Sequence, residues 1–214
     1  MKHLPFRLLT LLLAVLPLDR GHADFTTGQP ADLLLGAPQR PVFSPSGVAV
    51  DPLTLKVFVS DRNGNRIFRY GSTQAMQSEA MPEVVIGQAD FHGQSPHTTA
   101  TGLNNPAGIT VDNLGRLWVA DSGNHRVLRF DSASSLETGA AATAVFGQAG
   151  FITAISGTAE NRFNTPSAVA VEQSGRLWVA DSNNNRILRW DNAASLPAGA
   201  LANGVLGQAN FTSN

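Results

Sequence analysis

The stretch Gly115-Arg116-Leu117-Trp118-Val119-Ala120-Asp121-Ser122-Gly123-Asn124-His125-Arg126-Val127 returns sixty residues later as Gly175-Arg176-Leu177-Trp178-Val179-Ala180-Asp181-Ser182-Asn183-Asn184-Asn185-Arg186-Ile187. Upstream, the same interval gives a weaker copy in which Phe58, Asp61, Arg66 and Arg69 precede Trp118, Asp121, Arg126 and Arg129. Gly87-Gln88, Gly147-Gln148 and Gly207-Gln208 keep that spacing as well. A fixed period of this size marks a chain assembled from copies of one supersecondary unit, here three.

In the middle unit, residues 108–112 alternate in the manner of a short strand and run into the turn signal Asn113-Leu114-Gly115. A second strand is expected over 116–120, a turn at Asp121-Ser122-Gly123-Asn124, a third strand over 126–130 and a fourth over 142–146. The first unit repeats the plan over 47–50, 56–59, 66–70 and 82–86, and the third over 168–171, 176–180, 186–190 and 204–206. Four strands in sequence form one antiparallel meander. Repeated meanders bury their faces against one another as blades of a β-propeller, so the expected fold is all-β with blades near 45–87, 105–147 and 165–207.

The units resemble the NHL repeat, a β-propeller blade. The resemblance is carried by Asn105-Pro106-Ala107-Gly108-Ile109-Thr110-Val111-Asp112, by the stretch 115–127 quoted above and by Arg129-Phe130, and most of it recurs at Pro166, 169–171 and 175–186. It covers roughly residues 28–214 and implies NHL-type four-stranded blades in a secreted, bacterial-type protein. Two departures stand out. Blades of the family are commonly shorter than these, and the surplus falls in the connections 89–104 and 149–165, which offer a platform for a ligand. Closed propellers also use at least about four blades, whereas three are present. Three readings follow: a homodimer completing a six-bladed ring, a piece of a longer propeller, or an open array capped by its own connections.

Composition narrows the function. The chain has 214 residues, with 20 Gly, 12 Pro and only 14% charged residues, as suits many short strands and tight turns. It has no cysteine, which excludes disulfides, thiolate metal sites and cysteine nucleophiles. Lys2 and Arg7 precede an apolar run over 8–18, and Gly21-His22-Ala23 supplies small residues before a cleavage point. Residues 1–23 therefore read as a signal peptide and 24–214 as the repeat domain, with the product secreted or periplasmic. Without that leader, 12 basic and 15 acidic residues remain, a balance that offers no nucleic-acid surface.

The polar columns read first as architecture. Asp61, Asp121 and Asp181 each end a strand, and Arg66, Arg126 and Arg186 follow five residues later, placed to pair across the hairpin. A constellation present in every blade fixes turns, whereas catalysis needs a unique one. Arg69, Arg129 and Arg189 lie on the opposite face and are expected to meet Asp51, Asp112 or Glu172, or to line a polar face. Phe58, Trp118 and Trp178 are expected to fill the space between blades, a ring-stacking surface for carbohydrate being the alternative. Phe91, Phe151 and Phe211 are expected to plug the blade ends. His92, His97 and Asp90 share one connection and could offer imidazole and carboxylate ligands to a divalent metal, at a spacing that matches no standard ligand signature, so the metal site stays unassigned. His125 replaces Asn65 and Asn185 in its column. No catalytic residue and no cofactor is predicted. The expected function is an exported noncatalytic module that binds a protein, peptide or glycan; the alternative, implied by related propellers, is a metal-dependent lyase or hydrolase.

Overall fold

The alternation in the sequence becomes three antiparallel sheets in a computed structural model that describes residues 42, 44–74 and 80–212. The leader expected at 1–23 lies outside the described residues. Strands β1 (Pro45–Val50), β2 (Lys56–Asp61), β3 (Arg66–Ser72) and β4 (Val84–Ile86) form the first sheet in that order. The second contains β5 (Pro106–Val111), β6 (Leu117–Asp121), β7 (Arg126–Phe130) and β8 (Ala144–Phe146). The third contains β9 (Pro166–Val171), β10 (Leu177–Asp181), β11 (Arg186–Trp190) and β12 (Gly204–Leu206). All neighbours pair antiparallel, as NHL-type blades do.

The fourth strand of the third sheet has the expected bounds, whereas those of the first two are shorter than the alternation suggests, because their leading residues are not free to pair. Pro82 has no amide to donate, and the Ala142 amide donates to the carbonyl of Ala100 in the preceding connection. After β6 and β10 the chain makes a 3-10 turn, Ser122–Asn124 and Ser182–Asn184. Each turn is closed by a left-handed residue, His125 at φ 51° and Asn185 at φ 50°, and Asn65 takes the same conformation at φ 50° in the first sheet. Asn tolerates that region well, which suits two of the three positions.

Period-two alternation gives each sheet two apolar faces, and the core lies between sheets. Phe58, Ile67, Val84 and Ile86 of the first sheet pack on Leu117, Val119, Leu128, Phe130 and Val145 of the second. The column-equivalent residues Trp118, Val127, Ala144 and Phe146 pack on Leu177, Val179, Leu188, Trp190 and Val205 of the third. Within that second junction, Phe146 and Phe163 both meet the Trp190 ring edge-on, with centroids 6.0 and 5.4 Å away. The opposite face of the first sheet, Val57, Val59, Phe68, Tyr70 and Val85, is buried with Val42, Ala80 and Phe91 against it.

The third sheet departs from the expectation that all three aromatics of the column fill a space between blades. Among the described residues no fourth sheet follows, so Trp178 is only half-buried, while Ile187 is 40% and Leu206 53% exposed. The inner strands register the same difference. A Cβ on Gly47 would come 2.8 Å from the carbonyl oxygen of Ala107, and one on Gly108 would come 2.8 Å from the Cα of Ala168. The equivalent position in the third sheet is Ala168, which is exposed. Glycine stands where the next sheet approaches closely, and alanine where none follows among the described residues.

Candidate functional site

Each second strand ends on its aspartate directly opposite the first arginine of the third strand. In the second sheet Arg126 Nε donates to Asp121 Oδ2 at 2.7 Å, and both side chains are fully buried. Asp121 also accepts from the Asn104 amide at 2.7 Å and from Asn124 Nδ2 at 2.8 Å. Burial pushes its carboxyl above the usual range, against the pull of Arg126 and these donors. The rest of the guanidinium points into the connections: Nη2 donates to the carbonyls of Thr99 and Gly102, both at 2.9 Å, and Nη1 to that of Phe151 at 2.5 Å. One arginine thus holds the connection entering its blade and the one leaving it.

The other two copies repeat this. Arg186 Nε donates to Asp181 at 2.8 Å, and its other nitrogens bond the carbonyls of Thr158, Ala159, Arg162 and Phe211. Arg66 Nε donates to Asp61 at 2.9 Å and Nη1 to the carbonyl of Phe91 at 2.8 Å. Phe91, Phe151 and Phe211 therefore lend backbone carbonyls to the clamp, while their half-buried rings pack on three different core clusters.

The Gly-Gln segments hold the same connections from the other side. Gln88 Nε2 donates to the carbonyls of Asn65 and Ser95, and Gln148 Nε2 to those of His125 and Ile155. Their regular spacing was visible in the sequence, but this role was not, because it depends on carbonyls seven and 23 residues away.

The second arginine column does not meet Asp51, Asp112 or Glu172. Arg69 Nη1 crosses to the next sheet and donates to the carbonyls of Ala133 and Leu136 at 3.1 and 2.8 Å. Arg129 Nη1 does the same with Ala194 at 2.6 Å. Their carboxylate partners are Glu83 and Asp131, 3.5 and 2.9 Å from the respective Nε atoms. The third member, Arg189, has no following sheet among the described residues to cross to and lies beside Asp191 with 31% of its side chain exposed, against 7% for Arg69 and 11% for Arg129.

Asp112 and Glu172 serve the aromatic column instead. Trp118 Nε1 donates to Asp112 Oδ2 at 2.8 Å, and Trp178 Nε1 to Glu172 Oε1 at 2.6 Å. Burial works to raise the Asp112 carboxyl, but the Trp118 indole, Arg116 and two backbone amides together hold it below the usual carboxylate range.

The histidines divide. Asp90 Oδ1 accepts from the amides of His92 and Gly93, a turn that holds its carboxyl low. Among the described residues no group of three or more His, Asp or Glu is placed to hold a metal ion. His125 Nδ1 accepts from the Thr165 amide of the next blade at 3.1 Å, as Asn65 Oδ1 accepts from Asn105 at 2.7 Å. Partial burial holds the His125 imidazole below the ordinary histidine value, against the pull of Asp181.

Residues 103–130 and 163–190 match the NHL repeat family model. The chain carries an NHL-repeat domain of three four-stranded sheets and is related to several eukaryotic NHL-repeat proteins. It is 30% identical over 154 residues to NHL repeat-containing protein 2 of Homo sapiens, covering 67% of this chain and 20% of that protein. It is 32% identical over 94 residues to a probable peptidyl-alpha-hydroxyglycine alpha-amidating lyase of Caenorhabditis elegans, covering 44% of this chain and 24% of that one. Across the curated relatives the chain spans between 3% and 26% of their length. Among solved structures, the hydrazine synthase of Kuenenia stuttgartiensis shares the fold, with a TM-score of 0.50 at 13% identity over 83% of this chain and 38% of that one.

Proposed function

From an NHL-repeat domain of three blades, we infer an exported, noncatalytic module of a bacterial envelope or secretion fluid that binds a protein, a peptide or a glycan. The observation that carries the reading is the closure of the buried polar columns. Asp61, Asp121 and Asp181, with Arg66, Arg126 and Arg186, satisfy one another and the chain's own carbonyls in every blade. What remains to meet a partner is the set of connections they hold and the open face of the last sheet. The leader at 1–23 supports export.

The test is binding to a partner purified from the extracytoplasmic fraction, titrated by calorimetry with the intact protein and with single variants. A contact spread over several connections survives His92→Ala with less than about a fivefold change in affinity. Loss of all binding in that one variant, or turnover of a substrate that stops on chelation of a divalent metal, overturns it. The second outcome would favour a metal-dependent lyase or hydrolase; of these, lyase is the class that the C. elegans relative's name carries.

A homodimer closing a six-bladed ring is the second reading. The open Trp178, Ile187 and Leu206 face and the exposed Val48 and Val50 of β1 favour it. Light scattering would find twice the 22.6 kDa chain mass, less any leader removed; a monomer across all concentrations excludes it.

A further inference from the structure

The two junctions between blades differ where the connections meet the neighbouring sheet. At the second junction two side chains fill the space: Arg162 Nη1 donates to Gln148 Oε1 at 2.9 Å, and Asn161 Nδ2 donates to the carbonyl of Gly199 at 3.2 Å. At the first junction the same places are taken by Gly102 and Thr101, and a groove of about 490 Å³ opens, bordered by Gln88, His97, Thr138 and Gly139.

Gln88 is only 4% exposed. Its Nε2 donates to two carbonyls, which settles which end of the amide is oxygen, and among the described residues nothing donates to its Oε1. The equivalent oxygen of Gln148 receives both the Arg162 guanidinium and the Ile155 amide. The residue is buried but this oxygen stays open to solvent, an acceptor beside an open groove that lacks the donors its sister has.

Charge follows the same division. Exposed Asp90 and Glu137 adjoin the groove-lining Ala89 and Thr138, whereas their equivalents at the second junction are Gly150 and Pro197. The filled junction contains its own arginine and one adjoining acidic residue, Glu160, where the open one has Ala100. The open one has both carboxylates beside it.

Resting on the reading of this chain as a protein- or peptide-binding module, we propose that the groove at the first junction binds the guanidinium of an arginine side chain presented by the partner, in the place Arg162 fills at the second. A planar guanidinium can donate to Gln88 Oε1 with the negative charge of Asp90 and Glu137 in the flanking chain, and its flat fork suits an amide oxygen better than a lysine ammonium does.

The chain also shows how to close the groove. A Cβ on Gly102 would fall 2.4 Å from the Cβ of His97. Where residue 102 has Arg162 as its counterpart, His97 has Gly157, so the two positions exchange bulk together. The variant that copies the filled junction is the double change H97G/G102R.

The experiment titrates the isotopically labelled intact protein with N-acetyl-L-arginine amide, its isosteric uncharged citrulline analogue and the lysine analogue, following amide resonances by NMR. The arginine compound should move the Gln88 side-chain amide and the Gly102 and Gly139 backbone amides, with affinity about fivefold above citrulline's. H97G/G102R should abolish the response, and R162G should add a second one at Gln148. Equal affinity for citrulline, an unmoved Gln88, or an undiminished response in H97G/G102R overturns the proposal. The wild-type comparison of arginine with citrulline decides the matter even if a variant fails to fold. A partner that binds H97G/G102R as well as wild type refutes the groove and leaves the module reading intact. Arginine binding without any protein or peptide partner does the reverse.

Discussion

Trp118 and Trp178 occupy the same place in two consecutive sheets, make the same indole hydrogen bond to an acidic residue and lie under the same arginine, with Arg129 and Arg189 guanidinium carbons 5.7 and 5.8 Å from the ring centres. One is fully buried and the other is half-buried. The local chemistry is copied from blade to blade, so the difference lies wholly in what comes next in space. In a stack of repeats a side chain's contribution is set by its neighbour as much as by its own sheet.

That contrast can be broken most directly by truncation. Trp118→Ala should cost about 3–5 kcal/mol in urea unfolding, as large-to-small core changes do, and Trp178→Ala no more than about 1 kcal/mol. Equal losses would mean that the face of the third sheet is covered in solution. Gly108→Ala should cost about 1–3 kcal/mol, because its methyl would meet the backbone of Ala168, while Ala168→Gly should change the unfolding free energy by under about 1 kcal/mol. The arginines sharpen the comparison on a smaller scale. Arg129→Ala removes a bond that crosses to Ala194 and should cost about 1–2 kcal/mol, against under about 1 kcal/mol for the more exposed Arg189.

The smallest expected effect is a dependence on pH at the second junction alone. Neutral His125 accepts the Thr165 amide, and its imidazole is held below the ordinary histidine value. A depressed folded-state value favours the neutral form, so this stabilisation is complete above about pH 6.5 and is lost as pH falls through the folded value. His125→Asn, which copies Asn65, should flatten the unfolding midpoint between pH 7.5 and pH 5, and an unchanged slope would remove the role assigned to this bond.

Much of the sheet architecture was legible because it depends on near neighbours. Alternation marked the strands, and Asp121 with Arg126, five residues apart, announced a hairpin pair that period-two geometry places face to face. The partners of Arg69 and Arg129 were not legible, since Ala133, Leu136 and Ala194 are some sixty residues away and act through carbonyls that every residue possesses. The groove escaped for a related reason. Its signal is the exchange of His97 and Gly102 for Gly157 and Arg162 within aligned connections, and it acquires meaning only when Gln88 and Gln148 are seen to present the same oxygen to both. The half-burial of Trp178 depends on whether a sheet packs beside it, which no local pattern records; none does among the described residues.

The arginine clamp has a direction in time. Arg66, Arg126 and Arg186 each reach a carbonyl 25 residues further along the chain, at Phe91, Phe151 and Phe211. A polypeptide delivered N-terminus first, whether from a ribosome or through a membrane, always has a newest blade whose guanidinium still lacks that acceptor. The blade is completed when the connection that follows it emerges, so consolidation trails delivery by one connection and proceeds in the order of synthesis.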